Sequence, residues 1–206
     1  MTISYPLSVP SERHIREVRF RAQSMVGVSA SPFTGEQQVY VHQGEFLAIE
    51  VSLIPLRRAD AEDWTAFFLA LNGREGTFLL GDVINTTPQG TWSEFSPHVA
   101  GASQTGKTLV VEGVDVGTTA LAGDWFQLGT GSSATLHKVT QDATASGSPG
   151  QLSLDIWPRL RSSPSNGAAV TISSPKGRWR LASNTSEWTI SLGQSYALTF
   201  VAVEAL

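Results

Sequence analysis

One segment of the chain matches the phosphate-binding loop G-x-x-x-x-G-K-[ST], a motif that carries chemistry in many enzymes. Its defining positions are filled by Gly101, Gly106, Lys107 and Thr108. In a nucleotide-binding site, the backbone N–H groups of this loop hold phosphate oxygens, and the lysine reaches the outer phosphates. The chemistry depends on context, because the loop must follow a buried strand and open a helix.

The residues around this loop do not provide that context. Residues 96–98 read Ser-Pro-His, and residues 109–113 read Leu-Val-Val-Glu-Gly, which favours a strand running into a turn. No alternating strand and helix units surround the segment, so a parallel sheet is not expected. We therefore interpret the match as a turn that opens a β-hairpin. We predict no nucleotide cofactor, and a nucleotide-binding enzyme is the least favoured function.

Other groups that could catalyse a reaction or bind a metal show no diagnostic spacing. The chain has no cysteine, which excludes disulfides, thiolate metal ligands and cysteine nucleophiles. The histidines lack any metal-binding spacing such as H-E-x-x-H, and we expect them to be surface or capping residues. They are His14, His42, His98 and His137. We predict no catalytic residue, no metal site and no enzymatic activity.

The six tryptophans divide into two groups by their surroundings. Those at apolar periodic positions are predicted to lie in the core, namely Trp64, Trp125, Trp179 and Trp188. Trp92 and Trp157 lie outside such patterns and could serve as platforms for stacking a sugar ring. This leaves open a carbohydrate- or receptor-binding function for the segment from Gly90 to Pro175.

The only convincing helix precedes this segment, within residues 58–82. A stripe of large apolar residues at i, i+3, i+4 and i+7 predicts that it packs on a sheet. The predicted core of this region, with one residue from the following strand, is Trp64, Phe67, Phe68, Leu71 and Phe78. Asp60 is the predicted N-cap, and Asn72-Gly73 is the predicted end of the helix.

Strands are predicted for most of the remaining chain. In the N-terminal part, a strand runs from Val18 towards Val26, a second from Gln37 to His42, and a third from Leu47 to Leu53, with Gly44 as a break. The strands predicted in the middle are Thr108–Val111, Asp124–Leu128, Ala134–Val139, Gln151–Ile156 and Ala168–Ile172. The last predicted strands contain Trp179, Trp188 and Tyr196, with a turn at 193–195 between the second and the third.

The change in composition along the chain predicts two domains. Residues 1–88 and 176–206 carry the large apolar residues and are predicted to form a β-sandwich or split-barrel hub with one packed α-helix. Residues 89–175 are rich in glycine, serine and threonine, with short strands at close spacing. That pattern predicts a small inserted β-barrel or sandwich module at the periphery of the hub. The fold class is therefore mainly β.

The bulk properties exclude some classes of function. The 206 residues carry a formal net charge of −4, which argues against a nucleic-acid-binding surface. No apolar stretch approaches the ~18 residues of a membrane span, and the N-terminus does not resemble a signal peptide. Charged residues make up only 16%, which fits a β-rich subunit that buries surface in an assembly.

Several blocks of the sequence resemble the distal tail proteins, or tail-tip adaptors, of long-tailed siphovirus-like bacteriophages. The matching blocks cover most of residues 18–182. They include Ser31-Pro-Phe-Thr-Gly35, Leu53-Ile-Pro-Leu56, Asn72-Gly-Arg-Glu-Gly76, Phe78-Leu-Leu-Gly-Asp82, Ala122-Gly-Asp-Trp-Phe126, and Gly177-Arg-Trp-Arg-Leu181. One departure is Val83, because the family often has proline there. The blocks contain turn and core positions, so the resemblance concerns the family and its fold.

The resemblance implies a structural protein of the virion, made in the bacterial host cytoplasm and located at the tail tip. Such proteins form a ring, usually hexameric, that joins the tail tube to the distal hub or baseplate. The implied partners are other copies of the chain, the tail-tube protein, the tail hub protein and the tape-measure protein. DNA would pass through the lumen without specific binding, and no membrane insertion is expected.

Overall fold

The computed structural model of the protein describes residues 3–191 and 195–206. In these ranges the chain forms one α-helix, α1 (Arg58–Leu71), three short 3-10 helices and fifteen β-strands. The strands are β1 (Leu7–Ser8), β2 (Ile15–Ala30), β3 (Gln37–Leu53), β4 (Phe78–Gly81), β5 (His98–Val99), β6 (Gly106–Val114), β7 (Thr119–Ala120), β8 (Trp125–Leu128), β9 (Thr135–Val139), β10 (Ala143–Thr144), β11 (Gly150–Leu160), β12 (Val170–Thr171), β13 (Lys176–Leu181), β14 (Trp188–Ile190) and β15 (Tyr196–Glu204). The 3-10 helices are Glu12–His14, Thr91–Glu94 and Gly131–Ser133. The mainly β fold class is confirmed.

The largest sheet combines strands from the two ends of the chain. Its order is β1-β4-β13-β15-β3-β2, and β14 pairs with β15 outside this path. All pairs are antiparallel except β1 with β4. The predicted turn between β14 and β15 includes Gly193 and Gln194, which lie outside the described residues.

Helix α1 packs its apolar stripe on this sheet. Trp64, Phe67, Phe68 and Leu71 are all buried in one cluster with Phe78 and the inward side chains of β3, β13 and β15. Phe68 and Phe200 pack edge to face, with ring centroids 5.1 Å apart. Aromatic pairs in this geometry add stabilisation beyond that of buried area alone.

The two ends of α1 differ in how well the sequence predicted them. The helix begins earlier than predicted, because Arg57 is the N-cap residue and Asp60 lies within the first turn. Backbone hydrogen bonds between Leu56 and Tyr196 hold the preceding residue against β15, so tertiary pairing determines where the helix starts. The end is as predicted: Asn72 adopts the left-handed conformation with φ 49°.

The prediction that Gly44 breaks a strand is wrong. Strand β3 is continuous through Gly44, and a bulge absorbs the irregularity. Ser24 pairs with Glu45 and Val26 pairs with Val41, so residues 42–44 lie opposite Met25 alone. A Cβ at position 44 would lie 2.7 Å from Met25 Cγ, and glycine therefore allows the two strands to remain paired here.

The middle of the chain forms a second sheet with its own core. The sheet order is β12-β8-β9-β11-β6-β5. Its first and last strands approach each other, since Val99 N–H donates to Ala168 O (2.9 Å) and Val170 N–H donates to Pro97 O (3.0 Å). The sheet therefore curls into a nearly closed barrel around apolar residues such as Phe126 and Leu152.

The two sheets correspond to the two segments separated by composition. The chain leaves the first sheet after β4 and returns at β13, and Ser174 N–H donates to Thr86 O (2.6 Å) where the two crossings meet. The cores are not fully separate, because Leu136 of β9 belongs to the cluster around α1. We keep the names hub (1–88 and 176–206) and module (89–175). Whether each folds independently remains a prediction.

We expect Trp64→Ala to lower the free energy of unfolding by roughly 3–5 kcal/mol. Trp64 is fully buried, and its indole N–H donates to His14 Nδ1 (3.2 Å), so truncation leaves both a cavity and an unpaired acceptor. Urea denaturation followed by circular dichroism measures the loss. Leu69→Ala, at an exposed position of the same helix, is the matched control and should change stability by less than about 0.5 kcal/mol.

Candidate functional site

The segment that resembles a phosphate-binding loop is built into a β-hairpin. Strands β5 and β6 pair antiparallel, and residues 100–105 connect them. Lys107 and Thr108 lie within β6, so a strand begins where phosphate binding requires a helix N-terminus. The ammonium of Lys107 is 2.6 Å from Glu45 Oε1, which gives this lysine a structural partner in the hub.

Lys107 belongs to a group of charges that joins the module to the hub. We call Glu45, Lys107, Arg161 and Glu204 the seam cluster. The Arg161 guanidinium donates to both carboxylate oxygens of Glu204 (2.6 and 2.7 Å) and to the backbone carbonyl of Glu45 (2.8 Å). The second Glu45 oxygen accepts the backbone N–H of Arg159 (3.0 Å). Both carboxylates come from the hub and both cations from the module.

The carboxylates of the seam cluster are buried. Glu45 is 5% and Glu204 is 8% exposed. Burying either charged carboxylate without a partner would destabilise the fold. Burial alone would raise the pKa of Glu45, but the hydrogen bonds from Lys107 and from the Arg159 backbone outweigh it and lower the pKa below its ordinary value. Glu45 therefore stays charged in neutral solution, and its ion pair with Lys107 joins the module to the hub.

His137 lies next to this seam and is buried, which corrects the prediction of a surface or capping histidine. It is 2% exposed and stacks on Phe126 with a centroid distance of 5.5 Å. Nδ1 lies 2.8 Å from Pro158 O and Nε2 lies 3.1 Å from Thr135 Oγ1. Neutral imidazole satisfies both, with Nδ1–H donating and Nε2 accepting. Burial lowers the pKa of His137 to about 4.

The tryptophans are not distributed as the sequence predicted. Trp92 is completely buried, and its indole N–H donates to Asp124 Oδ2 (2.9 Å), so it cannot stack on a ligand. Trp188 was predicted to be a core residue but is 39% exposed on β14. Trp125 was also predicted to be core and is only half-buried. Its indole ring packs on Phe20 of the hub, with centroids 5.1 Å apart.

Trp125 and Trp157 line a cleft between the hub and the module. The cleft has a volume of about 280 Å³ and is also lined by Phe20, Leu47 and Lys138. The Lys138 ammonium lies 4.5 Å from the centre of the Trp125 ring, within cation–π range. The cleft thus presents aromatic faces beside one cation, and it includes one of the two tryptophans predicted to be platforms.

A long hairpin projects from the edge of the hub sheet. We call residues 22–43 the hairpin arm; they include the outer ends of β2 and β3. Strand β15 pairs with β3 only along Ala48–Ser52, so the arm's strands pair only with each other in the described ladder. An isolated two-stranded ribbon is marginally stable in water, and an exposed arm of this kind favours a partner.

One face of the hairpin arm is apolar. Val26 pairs with Val41 and Val28 pairs with Val39, so the four side chains form one patch, which we call the valine face. They are between 48% and 69% exposed. The only Asp, Glu, Lys or Arg in the arm is Glu36. Absence of charge on an exposed strand is typical of surfaces that are covered in an assembly.

The tip of the hairpin arm presents a phenylalanine to solvent. Phe33 is 95% exposed. The turn that carries it is closed by hydrogen bonds from Ser31 N–H to Glu36 O (2.8 Å) and from Gly35 N–H to Ser31 O (3.0 Å). The Ser31 hydroxyl also accepts the backbone N–H of Thr34 (3.3 Å). The turn is therefore held by its own backbone, while the apolar ring has no covering residue.

A second apolar surface lies on the body of the hub. A groove of about 270 Å³ runs between α1, the end of β13 and β15. Its lining includes Phe68, Leu181, Thr185, Glu187, Thr199, Phe200 and Val201. Further exposed apolar residues of the hub are Leu69 on α1 and, on β14 beside β15, Trp188 and Ile190. We call this surface the hub groove.

Exposed apolar residues are concentrated on the hub. Among the described residues, the only large hydrophobic side chain exposed in the module is Val116. The hairpin arm and the hub groove hold most of the others. Neither surface was predicted from the sequence, because local patterns indicate the strands but not which of them lack a covering layer. The run of uncharged residues in the arm was the available signal.

The comparisons with known proteins do not identify the chain. No protein-family model matches it, and no curated protein matches it. Within residues 3–191 and 195–206, no group of three His, Asp or Glu side chains could hold a metal ion. In the same ranges, no helix has the length and apolar character needed to cross a bilayer.

We expect Arg161→Met to lower the free energy of unfolding by about 3 kcal/mol, because Glu204 would remain buried without its partner. Adding Glu204→Gln should restore part of the loss, since it removes the unpaired charge. Urea denaturation of the wild type, both single variants and the double variant measures the coupling. Arg19→Met, whose side chain is 61% exposed, should cost less than about 1 kcal/mol. Strictly additive losses in the double variant would contradict a paired seam.

We also expect the titration of His137 to lower the free energy of unfolding by about 2 kcal/mol between pH 7 and pH 5. The unfolded chain protonates His137 near 6.5, whereas the folded protein does so near 4. Between these two pH values the unfolded state binds more protons than the folded state. The stabilising contribution of neutral His137 is therefore complete above pH 6.5 and is lost as the pH falls towards 4. Urea titrations at both pH values test this, with His42→Gln, at an exposed position, as the matched control. A His137 ring that titrates near 6.5 by NMR would contradict it.

Proposed function

We propose that the protein is a structural subunit of a phage tail tip, in which copies form a ring that joins the tail tube to the distal hub or baseplate. The motif blocks that resemble distal tail proteins support this proposal, as does the mainly β hub with its single helix. By that resemblance the ring is hexameric and belongs to the virion. Its role is mechanical: the subunit associates with itself, encloses a channel and docks other proteins.

The observation that carries the proposal is the hairpin arm with its exposed valine face. Such a surface is unfavourable in a monomer, because four neighbouring valines remain in water on a ribbon that has no covering layer. Covering it with another copy removes the apolar surface from water and supports the ribbon. The module, with Val116 as its only large exposed apolar residue in the described structure, fits a peripheral position facing solvent.

The proposed ring has the partners implied by the resemblance. The tail-tube protein and the tail hub protein would dock on its two faces, and the tape-measure protein would contact its channel. DNA would pass through the lumen, and the net charge of −4 is consistent with passage without binding. No step requires a cofactor or a catalytic group.

A second candidate function is recognition of a host glycan by the module. The observation that favours it is the cleft with half-buried Trp125 and Trp157 beside Lys138. Aromatic faces stack on the apolar faces of sugar rings, and a nearby cation can pair with an acidic sugar. This function is compatible with a ring, because the cleft is distinct from the valine face.

We expect the purified wild type to form oligomers and Val28→Glu to shift it towards monomer. A glutamate in the centre of the valine face would place an unpaired charge in the interface. Multi-angle light scattering over a concentration series measures the mass. Val116→Glu, an exposed valine in the module, is the matched control and should leave the mass unchanged. A wild type that stays monomeric throughout the series would count against the proposal.

A further inference from the structure

We infer that the cleft between the hub and the module binds a neutral sugar, whose pyranose ring stacks on Trp157 and whose hydroxyls meet Gln89 and Asp82. This inference rests on the second candidate function, recognition of a glycan, and specifies the binding residues and the class of sugar. It extends the cleft into a polar pocket that the candidate function does not use.

The aromatic cleft and a neighbouring polar pocket are two lobes of one site. Both cavities are lined by Gly123, Trp125 and Lys138. We call the first, of about 280 Å³, the aromatic lobe and the second, of about 200 Å³, the polar lobe. Together they reach the size of small-ligand sites, roughly 300–1,000 Å³, which often lie between two structural units. The polar lobe is also lined by Asp82, Asn85, Thr87 and Gln89.

The strand register places Lys138 between two tryptophans. Lys138 of β9 pairs with Trp125 of β8 and with Trp157 of β11. Directly paired residues of antiparallel strands project to the same face of a sheet, so the three side chains form a row. Both tryptophans also pack against the core cluster of the hub. The row is therefore the part of the module that lines the cleft facing the hub.

The two tryptophans of this row are not equally available to a ligand. The ring of Trp125 packs on Phe20 (centroids 5.1 Å apart), and the Lys138 ammonium lies 4.5 Å from its centre. Trp157 is half-buried and forms no aromatic or cation–π pair within the described residues. Its uncovered indole surface is flat and apolar, as the C–H face of a pyranose requires. Trp157 is therefore the stacking platform of the aromatic lobe.

The polar lobe offers both donors and acceptors. The side chain of Gln89 is exposed, and its amide has no hydrogen-bond partner in the described part of the chain. In the same part of the chain, Asp82 Oδ2 accepts one hydrogen bond, from Asn85 Nδ2 (2.9 Å), and can accept another. A hydroxyl both donates and accepts, so adjacent sugar hydroxyls match this mixture of groups.

Gly123 keeps the space between the two lobes open. A Cβ at this position would lie 3.8 Å from Gln89 Nε2 and 3.9 Å from Lys138 Cε. The φ of Gly123 is 101°, in the region that favours glycine. The amide of Gln89 and the stem of Lys138 thus border a gap that no side chain fills. A ring seated in the aromatic lobe can extend its hydroxyls through this gap.

The charges of the polar lobe favour a neutral sugar over an acidic one. Lys138 alone would attract an acidic sugar, and it is the only Lys or Arg that lines either lobe in the described structure. Burial would raise the pKa of Asp82, but hydrogen bonds from Asn85 and Ile84 outweigh it, and the Lys138 ammonium also lowers this pKa. Asp82 is therefore a carboxylate in neutral solution and balances the charge of Lys138. A ligand carboxylate would meet repulsion from Asp82 without an unmatched cation.

Titration with matched pairs of monosaccharides tests the class of sugar. The probes are the methyl glycosides of glucose and galactose and those of glucuronic and galacturonic acid, which carry a carboxylate in place of the hydroxymethyl group. We expect a neutral glycoside to shift the indole N–H signal of Trp157 by NMR with a dissociation constant in the millimolar range. Its uronate counterpart should bind about fivefold more weakly or less. Raising the salt from about 0.1 M to about 1 M should change the neutral affinity by less than about twofold.

Two substitutions test the location of the site. Trp157→Ala should abolish detectable binding, and Gln89→Ala should weaken it by about fivefold through the loss of hydrogen bonds. Because Trp157 also packs on the hub and Gln89 is exposed, Gln89→Ala separates binding from folding, and its circular dichroism should equal that of the wild type. The matched controls are Trp188→Ala and Gln141→Ala, at exposed positions outside the cleft, which should leave the affinity unchanged.

The outcomes separate this inference from the candidate function on which it rests. Sugar binding that Trp157→Ala and Gln89→Ala leave unchanged would overturn the inference, and glycan recognition would remain. A uronate that binds more tightly than its neutral counterpart would also overturn it. Failure of all the probes to bind would overturn the inference, and failure to bind any glycan on an array would overturn the candidate function as well.

Discussion

The antiparallel ladder between β2 and β3 connects the packed core of the protein to the surface proposed for assembly. Near the body, β3 presents Ile49 and Val51 to the core under α1, and β15 covers its other edge. Beyond the bulge at Met25 the same two strands continue without any covering layer. The core anchors the ribbon at one end. At the other end the valine face is exposed to water, and association with a partner would cover it.

The seam cluster is one of the contacts that join the module to the hub. Glu45 lies in β3 close to the bulge, so the strand that supports the hairpin arm also receives Lys107 and the Arg159 backbone from the module. Buried carboxylates need partners in fixed geometry, and here the partners lie on the other unit. The orientation of the module is therefore coupled to the base of the arm. In a ring this coupling would set the direction in which each module projects.

Much of the local structure could be predicted from the sequence because it depends on short-range patterns. The stripe from Trp64 to Leu71 specifies a helix with one buried face, and Asn72-Gly73 ends it through left-handed backbone conformations. The five strands predicted in the module all occur, with shifted ends. The mismatch between the Lys107 motif and its β-rich surroundings also indicates a hairpin, which the structure contains.

The sequence by itself determined the elements and the mainly β class, since periodicity and turn residues act over a few positions. Only the tertiary structure decided which of those elements would be covered. Val28 and Val51 lie on the paired strands β2 and β3 and look equally apolar in sequence, yet one is exposed and the other buried. The burial of His137 and the pairing of Glu45 with Lys107 were likewise decided by contacts between distant segments. Burial and charge pairing depend on which residues meet in space, and local patterns do not contain that information.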